Sequence, residues 1–152
     1  MGLLYLWQEL VVENITDSMP RGYYIRNVFD MSPDVGDIAF FRLPENMRGY
    51  FSASESWSAW FRDLQHGMLK TVVAVAGDTA CYGDTFSING TDFITINYAI
   101  PNVKALPHID GCIQLAHNEV MVATKSQRGL DSRHFGAVRV EDCTVYVPLF
   151  TW

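Results

Sequence analysis

A serine and a lysine in this 152-residue sequence stand in contexts that could support nucleophilic chemistry. Ser18 lies in the run NITDSMPRGYY, followed closely by Pro20 and Gly22. Proline fixes φ and glycine allows unusual backbone paths, so together they can hold the serine on a rigid, exposed bend. A serine before Met-Pro is more often an ordinary turn residue, so this segment alone is weak evidence for a nucleophile.

Lys70 opens the apolar run KTVVAVA, and a lysine at the head of a buried strand is uncommon because burying an ammonium is unfavourable. One interpretation is that its stem packs inward while its head reaches water. The other is a desolvated amine whose pKa falls from ~10.4 to about 7–8, at a cost of about 3–5 kcal/mol. Such an amine could take the proton from a serine hydroxyl.

A third segment, LDSRHFG, contains Asp131 and Arg133, which could form a local ion pair, brace separate loops or simply occupy a solvated turn. No metal-binding or phosphate-binding motif is present, so we expect neither a metal nor a cofactor. We expect the histidines to be surface or hydrogen-bonded core residues. The four histidines are scattered along the chain: His66, His108, His117 and His134.

The elements that must position these residues are mostly strands. Asn89-Gly90 between apolar residues predicts a two-residue hairpin within Phe86–Ile96, because both positions must take positive φ. A bend is expected at His134-Phe135-Gly136. Apolar and β-branched runs predict further strands at Asp37–Arg42, Lys70–Ala76, Asn118–Ala123, Ala137–Val140 and Thr144–Val147.

One amphipathic helix is predicted. Ser52 and Glu55 form a capping box, and Gly67 can end the helix. Its apolar positions follow helical spacing: Trp57, Trp60, Phe61 and Leu64. The sequence therefore predicts a mainly-β fold with one short amphipathic helix, in a single domain spanning 1–152. The apolar start, Met1 to Val12, is interpreted as a first strand or core segment, with the stub of a membrane anchor as the alternative.

Composition narrows the functional classes. Apolar residues make up 49% and charged residues 18%, which excludes a disordered chain. The net charge of −6 argues against a nucleic-acid binder. Cys81, Cys112 and Cys143 fit no zinc motif, and either one disulfide with a free thiol or three free thiols is compatible with their spacing.

Taken in order, these segments resemble the signal peptidase I superfamily, and within it the TraF-type peptidases of conjugative transfer. The resemblance implies a signal-peptidase-like or LexA-like β-fold. Four blocks carry it: T-x-S-M-P-x-G-x-Y around Ser18, G-D-I-x-x-F from Gly36 to Phe41, K-x-V-x-x-x-x-G-D from Lys70 to Asp78, and D-S-R-x-F-G from Asp131 to Gly136.

The resemblance implies that Ser18 is the nucleophile and Lys70 the general base. The Ser18 backbone N–H, with the Thr16 hydroxyl, is expected to form the oxyanion hole. Asp131 and Arg133 are expected to support the site rather than react.

The residues beside the nucleophile, Met19 and Pro20, are expected to contact the substrate. One position departs from the family pattern: a serine that often orients the lysine, two residues before the Asp of the D-S-R block, is here Gly129. Ser126, Thr16 or a water could orient Lys70 instead.

The implied substrate is an extended peptide with small side chains near the cleavage site, such as a conjugative pilin precursor that is cleaved and in some relatives cyclised. Expected partners are that precursor, the conjugation machinery and the inner membrane, with no nucleic acid. The expected location is the periplasmic face of the bacterial inner membrane. No apolar run reaches the ~18–20 residues of a membrane span, so an anchor is expected upstream.

Two alternatives remain. A non-catalytic scaffold component of the transfer apparatus could keep the peptidase fold. A self-cleaving repressor of the LexA kind also uses a serine–lysine pair, but it would need a DNA-binding domain in front of Ser18.

Overall fold

The computed structural model describes residues 10–50, 67–100 and 106–152 of the protein. The predicted helix after Ser52 and the opening segment Met1 to Glu9 lie outside these residues. Within the described ranges, every helix is too short or too polar to cross a membrane.

Eleven strands in the described residues form two antiparallel sheets. The strands are β1 (Val11–Asn14), β2 (Gly22–Arg26), β3 (Ile38–Phe41), β4 (Met68–Ala74), β5 (Thr79–Tyr82), β6 (Thr85–Ile88), β7 (Thr91–Thr95), β8 (Gly111–Gln114), β9 (Glu119–Ala123), β10 (Val138–Arg139) and β11 (Thr144–Thr151). The larger sheet has the order β1-β2-β11-β3-β4-β9-β10 and the smaller has the order β7-β6-β5-β8. The described helices are α1 (Ser132–Phe135) and two 3-10 turns at Glu45–Tyr50 and Val140–Asp142. The predicted mainly-β, signal-peptidase-like fold class is thereby confirmed.

Strand β4 lies inside the larger sheet, between β3 and β9. Its apolar, β-branched sequence suits a strand covered on both faces. Met68 and Val72 belong to the main hydrophobic core. Because side chains alternate along a strand, Lys70 points to the same face as these two residues. The lysine is therefore directed toward the core side of the sheet, opposite Ala39 of β3 in the register.

The predicted hairpin is confirmed. Asn89 and Gly90 both have positive φ, at 50° and 80°, and they join β6 to β7. The Asn89 side chain also accepts a hydrogen bond from the Thr79 N–H and donates one to Asp78. This turn therefore fixes the start of β5 as well.

The other predicted strands are present with shifted ends. The strand predicted at Thr144–Val147 continues to Thr151, because it pairs with both β2 and β3. The predicted bend at His134-Phe135-Gly136 is the end of α1, and Gly136 follows it with φ 80°. Strands β2, β5 and β8 had no counterpart among the sequence predictions.

The smaller sheet contains a disulfide between Cys81 and Cys112, which face each other across β5 and β8. Their Cα atoms lie 4.1 Å apart. Cys143 is a free, half-buried thiol whose pKa is raised to about 11, chiefly by burial. Of the two cysteine arrangements compatible with the sequence, the protein has one disulfide and one free thiol.

Candidate active site

The loop that carries Ser18 joins β1 to β2 and is organised by one buried amide. The Asn14 side chain is 8% exposed. Its Nδ2 donates to the carbonyls of Thr16, Met19 and Pro20 at 3.1, 2.9 and 3.1 Å. Its Oδ1 accepts from the Thr16 N–H and from the Thr16 hydroxyl at 3.2 and 2.7 Å. A single side chain thus fixes the backbone on both sides of Ser18.

Two further contacts attach this loop to the sheet. The buried Tyr24 hydroxyl donates to the Pro20 carbonyl at 2.6 Å. Gly22 has a positive φ, and a Cβ there would overlap the Phe150 carbonyl of β11. The glycine of the S-M-P-R-G run therefore permits the close approach of two strands, and it does not act on the serine directly.

The Ser18 hydroxyl contacts Thr16, whose Oγ1 lies 3.1 Å from Ser18 Oγ. A threonine hydroxyl has one hydrogen, and that of Thr16 is used toward Asn14. Ser18 is therefore the donor in this contact. For Thr16 to donate to an oxyanion, as predicted, its hydrogen must first leave Asn14.

Lys70 is 4% exposed. Burial lowers the pKa of its amine to about 8, with Asp131 opposing this shift and Arg133 adding to it. Within the described residues, no hydrogen bond to its Nζ is found. Of the two interpretations of this lysine from the sequence, the structure agrees with the buried, desolvated amine.

Asp131 and Arg133 form a fully buried ion pair beside Lys70. Arg133 Nη2 and Nε reach the two carboxylate oxygens of Asp131 at 2.7 and 2.8 Å. Arg133 Nη2 also donates to the carbonyls of Ser126 and Gly129 at 2.7 and 3.2 Å. The pair therefore holds the 126–129 loop in place, and a role of the pair in supporting catalysis stays a prediction.

Ser18 and Lys70 line the same cleft, which has a volume of about 570 Å³. Its walls come from the Ser18 loop, from the start of β4 and from residues 126, 128–130. The structure thus brings the predicted nucleophile and base to one cavity, together with Thr16 and Ser126. Ser126 Oγ accepts from the Arg128 N–H at 3.3 Å.

Met19 and Pro20 lie at a second, more open cleft of about 590 Å³, which shares Ser18 and Ser126 with the first. Trp152 and Lys125 also line it. The Met19 sulfur accepts a hydrogen bond from Thr71 of β4 at 3.6 Å, so Met19 also attaches the loop to the larger sheet. Contact of Met19 and Pro20 with substrate stays a prediction.

His134 is buried and serves the local structure. Its Nε2 lies 2.8 Å from the Asn97 carbonyl, and its Nδ1 accepts from the Asp131 N–H at 3.3 Å. Burial lowers its pKa. The described residues contain no group of His, Cys, Asp and Glu side chains suited to a metal ion.

Sequence reasoning missed two residues at this site. Asn14 stood at the head of the quoted serine segment, and an asparagine before a turn is a known signal for side-chain bonds to local backbone. Thr124 is buried at the end of β9, where its backbone N–H donates to Asp131 at 3.2 Å. Nothing in the local sequence marked Thr124, because its position depends on three separate segments.

Comparison with known proteins gives the family. No curated protein matches the sequence significantly. A family model described as "Signal peptidase, peptidase S26" matches residues 2–152, nearly the whole chain. Members of this family are serine peptidases, in agreement with the fold and with the cleft that holds Ser18 and Lys70. The chain therefore belongs to the peptidase S26 signal peptidase family.

Proposed function

We propose that this peptidase is a serine endopeptidase with a Ser18–Lys70 dyad. The observation that carries the proposal is a serine hydroxyl and a desolvated lysine on the walls of one cleft. The pKa of Lys70, lowered to about 8, supports it, because a sizeable fraction of the amine is then neutral near pH 7–8. A neutral amine has the lone pair that a general base needs.

In the proposed reaction, Lys70 takes the Ser18 proton as Oγ attacks the scissile carbonyl. The Ser18 N–H and the Thr16 hydroxyl stabilise the resulting oxyanion, and such a donor is worth about 2.7–4 kcal/mol. Lys70 then protonates the leaving amine. Before attack, the Ser18 hydrogen must turn from Thr16 toward Lys70, and the Thr16 hydrogen must leave Asn14 to face the oxyanion.

The substrate is proposed to be an extended peptide of a secreted precursor, added as a strand along the cleft. The TraF-type resemblance makes a conjugative pilin precursor the first choice. The acyl-enzyme is opened by water in hydrolysis, or by the amino end of the same peptide in cyclisation. Both outcomes share the first half-reaction.

The proposed location is the periplasmic face of the inner membrane, with the conjugation machinery as partner. The Cys81–Cys112 disulfide supports an oxidising compartment, because disulfides persist there and are rare in reducing cytosol. The negative net charge supports a partner other than nucleic acid.

The alternative is a scaffold component that keeps the fold without activity. Two observations favour it: Gly129 replaces the serine that often orients the lysine, and the Ser18 hydroxyl donates to Thr16 rather than to Lys70. It predicts that replacing Ser18 leaves precursor processing unchanged.

The test is mass spectrometry of a pilin precursor co-expressed with the wild type, Ser18→Ala, Lys70→Ala and the matched control Ser87→Ala, which lies in the smaller sheet. We expect the wild type and Ser87→Ala to trim the precursor and the two dyad variants to leave it intact. A product lighter by one further water indicates cyclisation. Processing by all four proteins would reject the dyad.

A separate experiment distinguishes a wrong choice of substrate from an inactive protein. If none of the four proteins trims the precursor, a fluorescent phosphonate that labels activated serines is applied to each. Labelling of the wild type but not of Ser18→Ala would keep the peptidase and reject the substrate. Absence of labelling would favour the scaffold.

A further inference from the structure

The Thr124 hydroxyl is a buried polar group with no assigned task. The residue is 5% exposed, and its Oγ1 has no hydrogen-bond partner among the residues the structure describes. Buried polar atoms are hydrogen-bonded in the great majority of cases, and strain, a catalytic role or a bound water or ion can account for an exception. An unpartnered hydroxyl beside a proposed catalytic base therefore calls for an explanation.

The Thr124 hydroxyl and the Lys70 amine both lie close to Gly129. The point where a Cβ of residue 129 would stand lies 3.1 Å from Thr124 Oγ1 and 3.5 Å from Lys70 Nζ. Because Gly129 has no side chain, nothing of residue 129 separates the two polar atoms. The two atoms make no direct hydrogen bond in the structure, so a single water between them or a small movement of either side chain would link them.

Arg133 Nη2 lies 3.5 Å from the same point, but its hydrogens are already used. It donates to the carbonyls of Ser126 and Gly129 and to the carboxylate of Asp131. It therefore does not compete with Lys70 for the Thr124 oxygen. Two donors remain for the Thr124 oxygen, Lys70 Nζ and the unpartnered Arg133 Nη1, and of the two only Lys70 Nζ is among the three atoms nearest to this point.

We propose that Thr124 positions Lys70, its hydroxyl accepting a hydrogen bond from the amine across the open side of Gly129. In the family that the sequence resembles, a serine at the position of Gly129 often orients the lysine. Thr124, at the end of β9, would perform this task here. This inference rests on the proposed function for its kinetic consequence, but not for the contact itself.

The first experiment compares kcat and KM for peptide cleavage by the wild type, Thr124→Val, Thr124→Ser and the control Thr95→Val on exposed β7. Valine keeps the shape and removes the hydroxyl. We expect Thr124→Val to lower kcat by about 10- to 100-fold with little change in KM, the size expected for a lost hydrogen bond to a charged group. Thr124→Ser should stay within about threefold of the wild type, and Thr95→Val should match it.

A second set of variants moves the hydroxyl. Thr124→Ala should lose activity as Thr124→Val does, and Gly129→Ser in the Thr124→Ala background should restore most of it. The alanine makes room, because a Cβ at position 129 would otherwise press on Thr124 Oγ1. Gly129 does not have a positive φ, so its backbone accepts serine. Wild-type activity in Thr124→Val, or failure of Thr124→Ser to retain it, would overturn the proposal.

The contact has a readout that needs no substrate. NMR of ¹³C-labelled lysine follows the titration of Lys70, which feels the charges of Asp131 and Arg133 in every variant. Loss of an acceptor destabilises the ammonium, so Thr124→Val should move the midpoint to lower pH, whereas Thr124→Ser should not. An unchanged midpoint would overturn the proposal even in an active enzyme. A shifted midpoint in a protein without Ser18-dependent cleavage would keep the contact and reject only the proposed function.

Discussion

The two sheets of this protein are stabilised in different ways. The smaller sheet has an aromatic core in which the Tyr82 and Phe86 rings lie 5.2 Å apart, and a disulfide joins β5 to β8. The larger sheet buries a lysine and an ion pair next to its cleft. Burial of charged groups opposes folding unless they are paired. The cleft side of the larger sheet therefore carries a stability cost that the smaller sheet does not.

This difference indicates which groups serve stability and which serve function. A disulfide and packed rings stabilise the fold without needing any chemistry at their position. A desolvated amine destabilises the fold but becomes a base near neutral pH. Variants that change stability and activity in different directions therefore test this difference between the two sheets.

The largest effect is expected for Lys70→Met. Removal of the base should lower kcat/KM by about 10²–10⁴-fold, the usual share of general base catalysis. The same change should stabilise the protein at pH 7 by about 3 kcal/mol, because methionine fills the site without a desolvated amine. Peptide cleavage and urea unfolding measure the two effects, with exposed Lys125→Met as the stability control.

The sign of the Lys70 contribution follows from its pKa, which is about 8 in the folded protein and near 10.5 when unperturbed. Between these values the unfolded chain binds more protons, so stability rises with pH. The advantage of Lys70→Met should therefore be complete below pH 8 and shrink toward pH 10.5. A Lys70→Met protein less stable than the wild type at pH 7 would contradict this account.

Arg133→Met is expected to be the most destabilising single change near the cleft. It leaves the fully buried Asp131 carboxylate without its partner, at a cost of about 3–5 kcal/mol. Arg139 provides the matched control, since it is 62% exposed and pairs with Glu141 at 3.0 Å. Arg139→Met should cost at most about 1 kcal/mol. Thermal unfolding of both variants tests the contrast, and equal losses would refute it.

Removal of the disulfide addresses the smaller sheet. Cys81→Ala with Cys112→Ala opens a loop with a sequence separation of 31 residues and should lower the free energy of unfolding by about 2–4 kcal/mol. Cleavage activity below the melting transition should stay at the wild-type level, because neither cysteine lines the cleft. An equal loss of activity in the folded variant would show that the two sheets are coupled.

The strands with strong patterns could be predicted from sequence. Strand β4 is an unbroken β-branched run, and the Asn89-Gly90 turn needs positive φ at both residues, so each signal is local. Strands β5 and β8 have four residues each and no clear alternation, and they form because β5 pairs with β8 on one side and with β6 on the other. Such pairing depends on tertiary context, which a single sequence does not display.

The candidate site likewise contains residues that could be predicted from sequence and residues that could not. Ser18 and Lys70 were predicted from short blocks of sequence, and burial of the Lys70 amine was one of two interpretations of its apolar neighbours. The roles of Asn14 and Thr124 could not be predicted in this way. The role of Asn14 depends on the folded path of the Ser18 loop. The role of Thr124 depends on three segments that come together, namely β4, β9 and the loop at Gly129. Contacts across segments need coordinates.

The smallest effect is expected in the pH dependence of cleavage, which relates the buried amine of the larger sheet to the reaction. The base must be neutral in the free enzyme, so kcat/KM should rise with pH and level off above the Lys70 pKa of about 8. The Asp131 carboxylate raises that pKa, so Asp131→Asn should move the limb to lower pH, even as it reduces stability. Stopped assays across pH 6–10 on wild type and variant measure the shift.

Among the described residues, His134 is another buried group that could shape such a profile, but burial lowers its pKa from 6.5. A limb due to His134 would therefore lie below pH 6.5, well separated from one near 8. A wild-type midpoint in that lower range would show that Lys70 is not the titrating base. A midpoint near 8 that is absent in Lys70→Met would instead identify Lys70 as the titrating base. The stability lost by burying its amine in the larger sheet would then serve catalysis.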